Sequence, residues 1–226
     1  RDDGLLLTLT SSDMSVHNVY GGSRKANVTP MDNGYAASPL PKQYTVSGTT
    51  YRFPGGNSAR ILITDGDITN VYGGNDISGN VSGGNAIHIH SSIKGDVYGG
   101  GNGSYFYTDK ASLSTDAKYG DYYYNPGGSS IDALNAKRPN AERVYIEISG
   151  TSSKNTVIGG SLYCGGNSAT LSATDNDADR IQLKIGAYVI ADKVFLGNNG
   201  ENMIADHILS DYADNSKSSL NLTDSA

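Results

Sequence analysis

Tryptophan is missing from this chain of 226 residues, cysteine occurs once, and phenylalanine and methionine occur three times each. The lone Cys164 excludes an internal disulfide and leaves the redox compartment open. Basic residues are scarce too. Seventeen Lys and Arg against 23 Asp and Glu give a net charge of -6 and a pI near 5.1. Nucleic acid, which needs clustered cations along a groove, is therefore not an expected partner. No segment approaches the roughly 18 apolar residues of a membrane span, so membrane insertion is not expected. The absence of Trp also counts slightly against a sugar-stacking site.

What the chain has in excess is glycine, 29 residues, and tyrosine, 16 residues. A disordered low-complexity chain would lack the regular apolar segments present here, so the glycines read as corner residues. The organising motif is Val-Tyr-Gly-Gly, found at Val19-Tyr20-Gly21-Gly22, Val71-Tyr72-Gly73-Gly74 and Val97-Tyr98-Gly99-Gly100. Weaker copies are Leu162-Tyr163-Cys164-Gly165-Gly166-Asn167, Val194-Phe195-Leu196-Gly197-Asn198 and Val81-Ser82-Gly83-Gly84-Asn85. Short alternating segments precede them, among them Ile61-Leu62-Ile63, Ile87-His88-Ile89-His90, Val144-Tyr145-Ile146 and Ile181-Gln182-Leu183, and each predicts a strand. Ile61 to Ile87 and Val71 to Val97 are both steps of 26 residues. A fixed step with glycine corners predicts a three-sided solenoid in which successive strands pair in parallel. An antiparallel sandwich would instead need Asn-Gly or Asp-Gly hairpins, and Asp65-Gly66 is the best candidate for one.

The expected fold is all-β, a right-handed single-stranded parallel β-helix of about five coils. It would form one domain over residues 1–226 and be a piece of a longer protein, with Leu220-Asn221-Leu222 opening a new strand. Long insertions at 23–57 and 103–141 leave just after a Val-Tyr-Gly-Gly corner, as does a shorter one at 168–179. They are expected on one side of the solenoid, commonly the binding side. Met203, Ile204, His207, Ile208 and Tyr212 fall at helical spacing, which predicts a short amphipathic helix over 201–213. Asn75, Asn102 and Asn167 are either a stacked column or ordinary turn asparagines.

These motifs resemble the Gly-rich repeats of parallel β-helix proteins secreted or displayed by bacteria, such as adhesin passenger domains and pectate-lyase-like enzymes. The resemblance covers residues 5–22, 61–102, 144–167 and 181–198. It implies a secreted or cell-surface module for adhesion or carbohydrate binding, with a glycan or a host or partner protein surface as partner. The alternative is a polysaccharide lyase or glycoside hydrolase, since the fold hosts many functions. Such enzymes use clustered carboxylates beside a basic residue, and Asp65, Asp67, Asp96 and Lys94 are the candidates here. The segment Arg138-Pro139-Asn140-Ala141-Glu142-Arg143 is similar to the Arg-x-Pro-x-x-Arg of pectate lyases but misses its spacing by one residue.

The ligand-binding candidates lie in the second insertion: Tyr105, Tyr107, Asp121, Tyr122, Tyr123 and Tyr124. Phenol rings offer flat faces and a hydroxyl at little rotamer cost, and Asp121 adds an acceptor. The same rings could instead strap the insertion onto the solenoid. His88 and His90, two apart on a strand, form a zinc-type pair that needs a third ligand. Ile87 and Val144 are 57 residues apart. That step would set His88 between Leu62 and Tyr145 and His90 between Thr64 and Glu147, with Lys184 beyond. The simpler reading is a solvated polar row that binds no zinc; no metal or cofactor is expected. Cys164 reads as a small buried hydrophobe.

Overall fold

The computed structural model describes residues 5–29, 42–107, 123–124, 136–171, 181–200 and 218–222. Its strands are β1 (Leu5–Leu9), β2 (Ser15–Tyr20), β3 (Lys42–Val46), β4 (Thr49–Phe53), β5 (Ala59–Ile63) and β6 (Asp67–Tyr72). Next come β7 (Asn80–Val81), β8 (Asn85–Ile89), β9 (Val97–Tyr98), β10 (Phe106–Tyr107), β11 (Tyr123–Tyr124) and β12 (Asn140–Ala141). The last are β13 (Val144–Ile148), β14 (Thr156–Tyr163), β15 (Thr170–Leu171), β16 (Ile181–Ile185), β17 (Val189–Phe195) and β18 (Ser218–Leu222). No helix occurs among the described residues. The helix expected over 201–213 lies outside them.

Three parallel sheets carry the repeats: six strands in the order β1-β5-β8-β13-β16-β18, five in the order β17-β14-β9-β6-β2, and three in the order β15-β12-β7. Neighbours in each sheet are successive repeats in the chain, an arrangement compatible with a β-solenoid. The 26-residue step is explicit, because Ile61 pairs with Ile87 and Val71 with Val97. Alternation in the six-stranded sheet sends every second side chain inward. Ile61, Ile63, Ile87, Ile89, Val144, Ile146, Ile181 and Leu183 all enter one buried cluster. Val71, Val97 and Leu162 meet them from the five-stranded sheet. Among the described strands the exposed large hydrophobics lie on β1 and β17: Leu5, Leu7, Ile190, Val194 and Phe195.

The glycine corners have two causes. Gly83 and Gly84 have φ of +76° and +90°, the left-handed region that favours glycine, and a Cβ on Gly84 would lie 2.2 Å from the Arg143 carbonyl oxygen. At Gly100 the backbone is ordinary, but a Cβ would lie 2.7 Å from the Gly166 nitrogen of the next repeat. Stacked repeats leave no room for it.

Three expectations are corrected. His88 sits between Leu62 and Glu147, and His90 bonds to Ser149 rather than facing Glu147. The step between these strands is 59 residues rather than 57 because β8 begins at Asn85, whose inward amide donates to the Gly99 carbonyl at 2.9 Å. A polar residue in the first inward place hid the start of the strand. The asparagine column also shifts: Asn102, Asn167 and Asn199 pair, and the residue below Asn102 is Asp76, not Asn75. An additional glycine, Gly101, displaces Asn102 by one place.

The third correction concerns the first insertion, which leaves from a corner after β2 but whose residues 42–53 lie on the six-stranded sheet. It carries an antiparallel hairpin, β3 on β4, turned at Ser47 and Gly48 with φ of +49° and +82°. Tyr44, Val46, Tyr51 and Phe53 pack on Leu62, Ala86 and Tyr145, the outer face of the six-stranded sheet. The expected solvated row of His88 and His90 is therefore covered. Asp65-Gly66 forms no hairpin; it turns the chain from β5 into β6.

Candidate functional site

The Val-Tyr-Gly-Gly motif puts its valine into the core and its tyrosine in a column along the five-stranded sheet. Tyr20, Tyr72, Tyr98, Tyr163 and Phe195 stack with centroids 4.9, 5.0, 5.0 and 4.8 Å apart and planes within 11° of parallel. The spacing is that of neighbouring strands, so the ring column is a direct product of the repeat. Interior rings give both faces to one another. A sugar cannot stack on Tyr72 or Tyr98, whose exposures are 8% and 3%, whereas Phe195 at the end of the column is exposed.

Beside the rings runs the polar column Asp76, Asn102, Asn167 and Asn199. Asn102 donates to Asp76 at 3.2 Å, Asn167 to Asn102 at 3.1 Å, and Asn199 to Asn167 at 3.1 Å. The two columns cross-link, because Asn102 reaches the Tyr20 hydroxyl and Asn199 the Tyr98 hydroxyl at 3.5 and 3.4 Å. Tyr98 donates in turn to Asp96 at 3.1 Å. Burial holds the Tyr72 and Tyr98 phenols well above their usual titration range, helped next by Tyr20 and Asp96 at Tyr72 and by Asp96 at Tyr98, so both hydroxyls stay protonated.

Tyr105 joins this surface from the second insertion. Its hydroxyl donates to Asp76 Oδ1 at 2.5 Å and accepts from Asn102 at 3.2 Å. Burial, with Asp76 as the next cause, pushes its pKa upward. The insertion leaves at Gly103, whose amide is bound to the Asn167 carbonyl, and returns through the buried Arg138. Arg138 donates to the Gly103 carbonyl and lies within 3.5 Å of the Tyr105 and Ser168 carbonyls. The guanidinium thus clamps both ends of the insertion, a structural task unrelated to a lyase arginine. Sequence reasoning had missed Tyr20, Asp76 and Asn102 as part of the site. The repeat of Val-Tyr-Gly-Gly held the signal for Tyr20, because equivalent residues of parallel repeats must stack.

Of the other candidates, Tyr107 and Tyr124 pair in parallel, as do Phe106 and Tyr123. Asp121 and Tyr122 lie outside the described residues. The carboxylates considered for catalysis are each engaged. Asp67 meets Lys94 at 2.6 Å, Asp65 meets Lys154 at 3.7 Å, and Asp96 accepts the Ser161 amide at 2.7 Å. No group of three or more His, Cys, Asp and Glu able to hold a metal occurs among the described residues. Ser149 Oγ and His90 Nδ1 share a hydrogen bond of 2.8 Å. The amides of His90, Ser149 and Gly150 already donate to Ile63, Ile89 and Ala187. A nucleophile there would have none of these amides as an oxyanion donor. Cys164 is buried, and burial raises its thiol pKa to about 12.

No protein-family model, curated protein or solved structure matches this chain.

Proposed function

We propose that the chain is a right-handed parallel β-helix of about five coils that serves as a non-enzymatic binding or display module of a secreted or cell-surface protein. Carbohydrate is its first ligand class and the surface of another protein the second. The observation that carries this reading is the docking of Tyr105 on Asp76 and Asn102. It joins the tyrosine-rich insertion to a column of aromatic edges, amides and a carboxylate. Hydroxyls and amides arrayed this way match the alternating donors and acceptors of a sugar, and the insertion supplies further rings. The engagement of Asp65, Asp67 and Asp96 in turns and ion pairs weighs toward binding and away from the lyase or hydrolase alternative.

A glycan array probed with the whole chain tests the reading, repeated with Tyr122, Tyr123 and Tyr124 each changed to alanine. Binding of a defined glycan class by the parent is expected, with loss in the triple variant and a nearly unchanged melting temperature. No glycan binding by the parent would refute carbohydrate as the ligand. Unaltered binding by the triple variant would exclude Tyr122, Tyr123 and Tyr124 from the site.

A further inference from the structure

The hairpin of the first insertion crosses the outer face of the six-stranded sheet and shuts two histidines beneath it. Phe53 lies 4.3 Å from the His88 ring centroid, Tyr51 lies 4.7 Å from that of His90, and the two imidazoles are 5.9 Å apart. His88 is 2% exposed. The Arg52 backbone lies beside it, yet neither ring nitrogen reaches a partner in hydrogen-bonding geometry. A solenoid core does not require this arrangement, since His88 points away from it. We propose that the β3–β4 hairpin is an acid-released cover over this face, with His88 as the residue whose protonation lifts it.

The groups around His88 give the direction. Just beyond the end of its strand stands His90; on β13 stand Tyr145 and Glu147; on β16 stands Lys184; on β5 stands the buried Arg60. From above come Tyr44, Tyr51 and Arg52, and the segment 42–53 contains no Asp, Glu or His. The cover itself therefore brings no anion to an imidazolium. Glu147 is the one carboxylate among these groups, and it is shared with the Tyr145 hydroxyl and with Lys184 at 3.9 Å. Burial is the main force lowering the His88 pKa to about 4; Glu147 and the Arg52 backbone oppose it, while His90 and Lys184 act the same way as burial. His90 shifts in the same direction, again mainly by burial. A base whose pKa is depressed in the closed state stabilises that state fully above its ordinary pKa of about 6.5. The contribution is lost as the pH falls toward about 4. Lifting the hairpin gives the imidazolium water, and the freed strands are a two-stranded ribbon with little stability of its own.

Hydrogen exchange of the intact chain, corrected for the pH dependence of intrinsic rates, tests this. Amides of residues 43–53 are expected to lose protection between pH 6.5 and 4.5, by about tenfold per pH unit for each proton taken up. Those of β6, β8 and β14 should hold. In His88→Leu the loss should be smaller by at least the share of one proton. Glu147→Gln should move the opening to higher pH and Lys184→Gln to lower pH, because the first weakens and the second strengthens proton binding by His88 in the closed state, which keeps the test decisive should the leucine variant fail to fold. Protection of 43–53 unchanged down to pH 4.5 overturns the proposal. So does opening with the same midpoint in His88→Leu, or in both charge variants if the leucine variant does not fold.

Discussion

Single residues show where the repeat is strict and where it yields. Cys164 occupies a corner place that is glycine in Gly73 and Gly99, and its side chain is fully buried in the core cluster. With the thiol pKa raised to about 12 by burial, the thiolate fraction at pH 8 is negligible. The native chain should leave a thiol reagent unreacted at pH 8 over a period in which the urea-unfolded chain reacts completely. Rapid reaction of the folded chain would show that this corner opens. The inward isoleucines and the buried cysteine were legible from alternation and from the motif. The 59-residue step was not, because Asn85 fills an inward place with an amide whose compensating acceptor, the Gly99 carbonyl, comes from another part of the chain. Asp76 was missed for a similar reason. Motif spelling aligned Asn75 with Asn102, whereas stacking aligns residues by their place around the turn.

At the scale of elements, the long strands were readable and the hairpin was not. Its alternation is present in Gln43-Tyr44-Thr45-Val46 and Thr49-Thr50-Tyr51-Arg52, but its turn is Ser47-Gly48 rather than the Asn-Gly that marks such ribbons. What stabilises it is tertiary: Phe53 is fully buried against His88, with Tyr44 edge-on at 5.6 Å. Phe53→Ala should cost about 3–5 kcal/mol in urea unfolding if the hairpin unfolds with the rest of the chain. If it detaches first, the same variant should expose residues 43–53 to exchange while the midpoint of the main transition stays put. A variant with neither effect would mean that the hairpin does not pack as described. The second insertion is held differently, through Arg138 and through Tyr105 on Asp76. Nothing local in the sequence marks Arg138 as a clamp, since its partners are backbone carbonyls gathered from two separate corners.

For the whole molecule, the decisive property is that equivalent residues of successive repeats stand beside one another. The ring column, the Asp76–Asn199 polar column, the closed core and the covered histidines all depend on that register. The 26-residue step was legible because no insertion interrupts residues 61–97; across the insertions only the structure fixes the offset. Long-range contacts among isoleucine δ1 methyls, measured by NMR on the intact chain with selective methyl labelling, test this most directly. The account predicts contacts of Ile61 with Ile87, Ile63 with Ile89, Ile87 with Ile146 and Ile89 with Ile148. Contacts of Ile61 with Ile89 and Ile63 with Ile87 in place of the first two would mean antiparallel pairing, and a contact of Ile89 with Ile146 in place of Ile87 with Ile146 would mean a different register; either result would contradict the account.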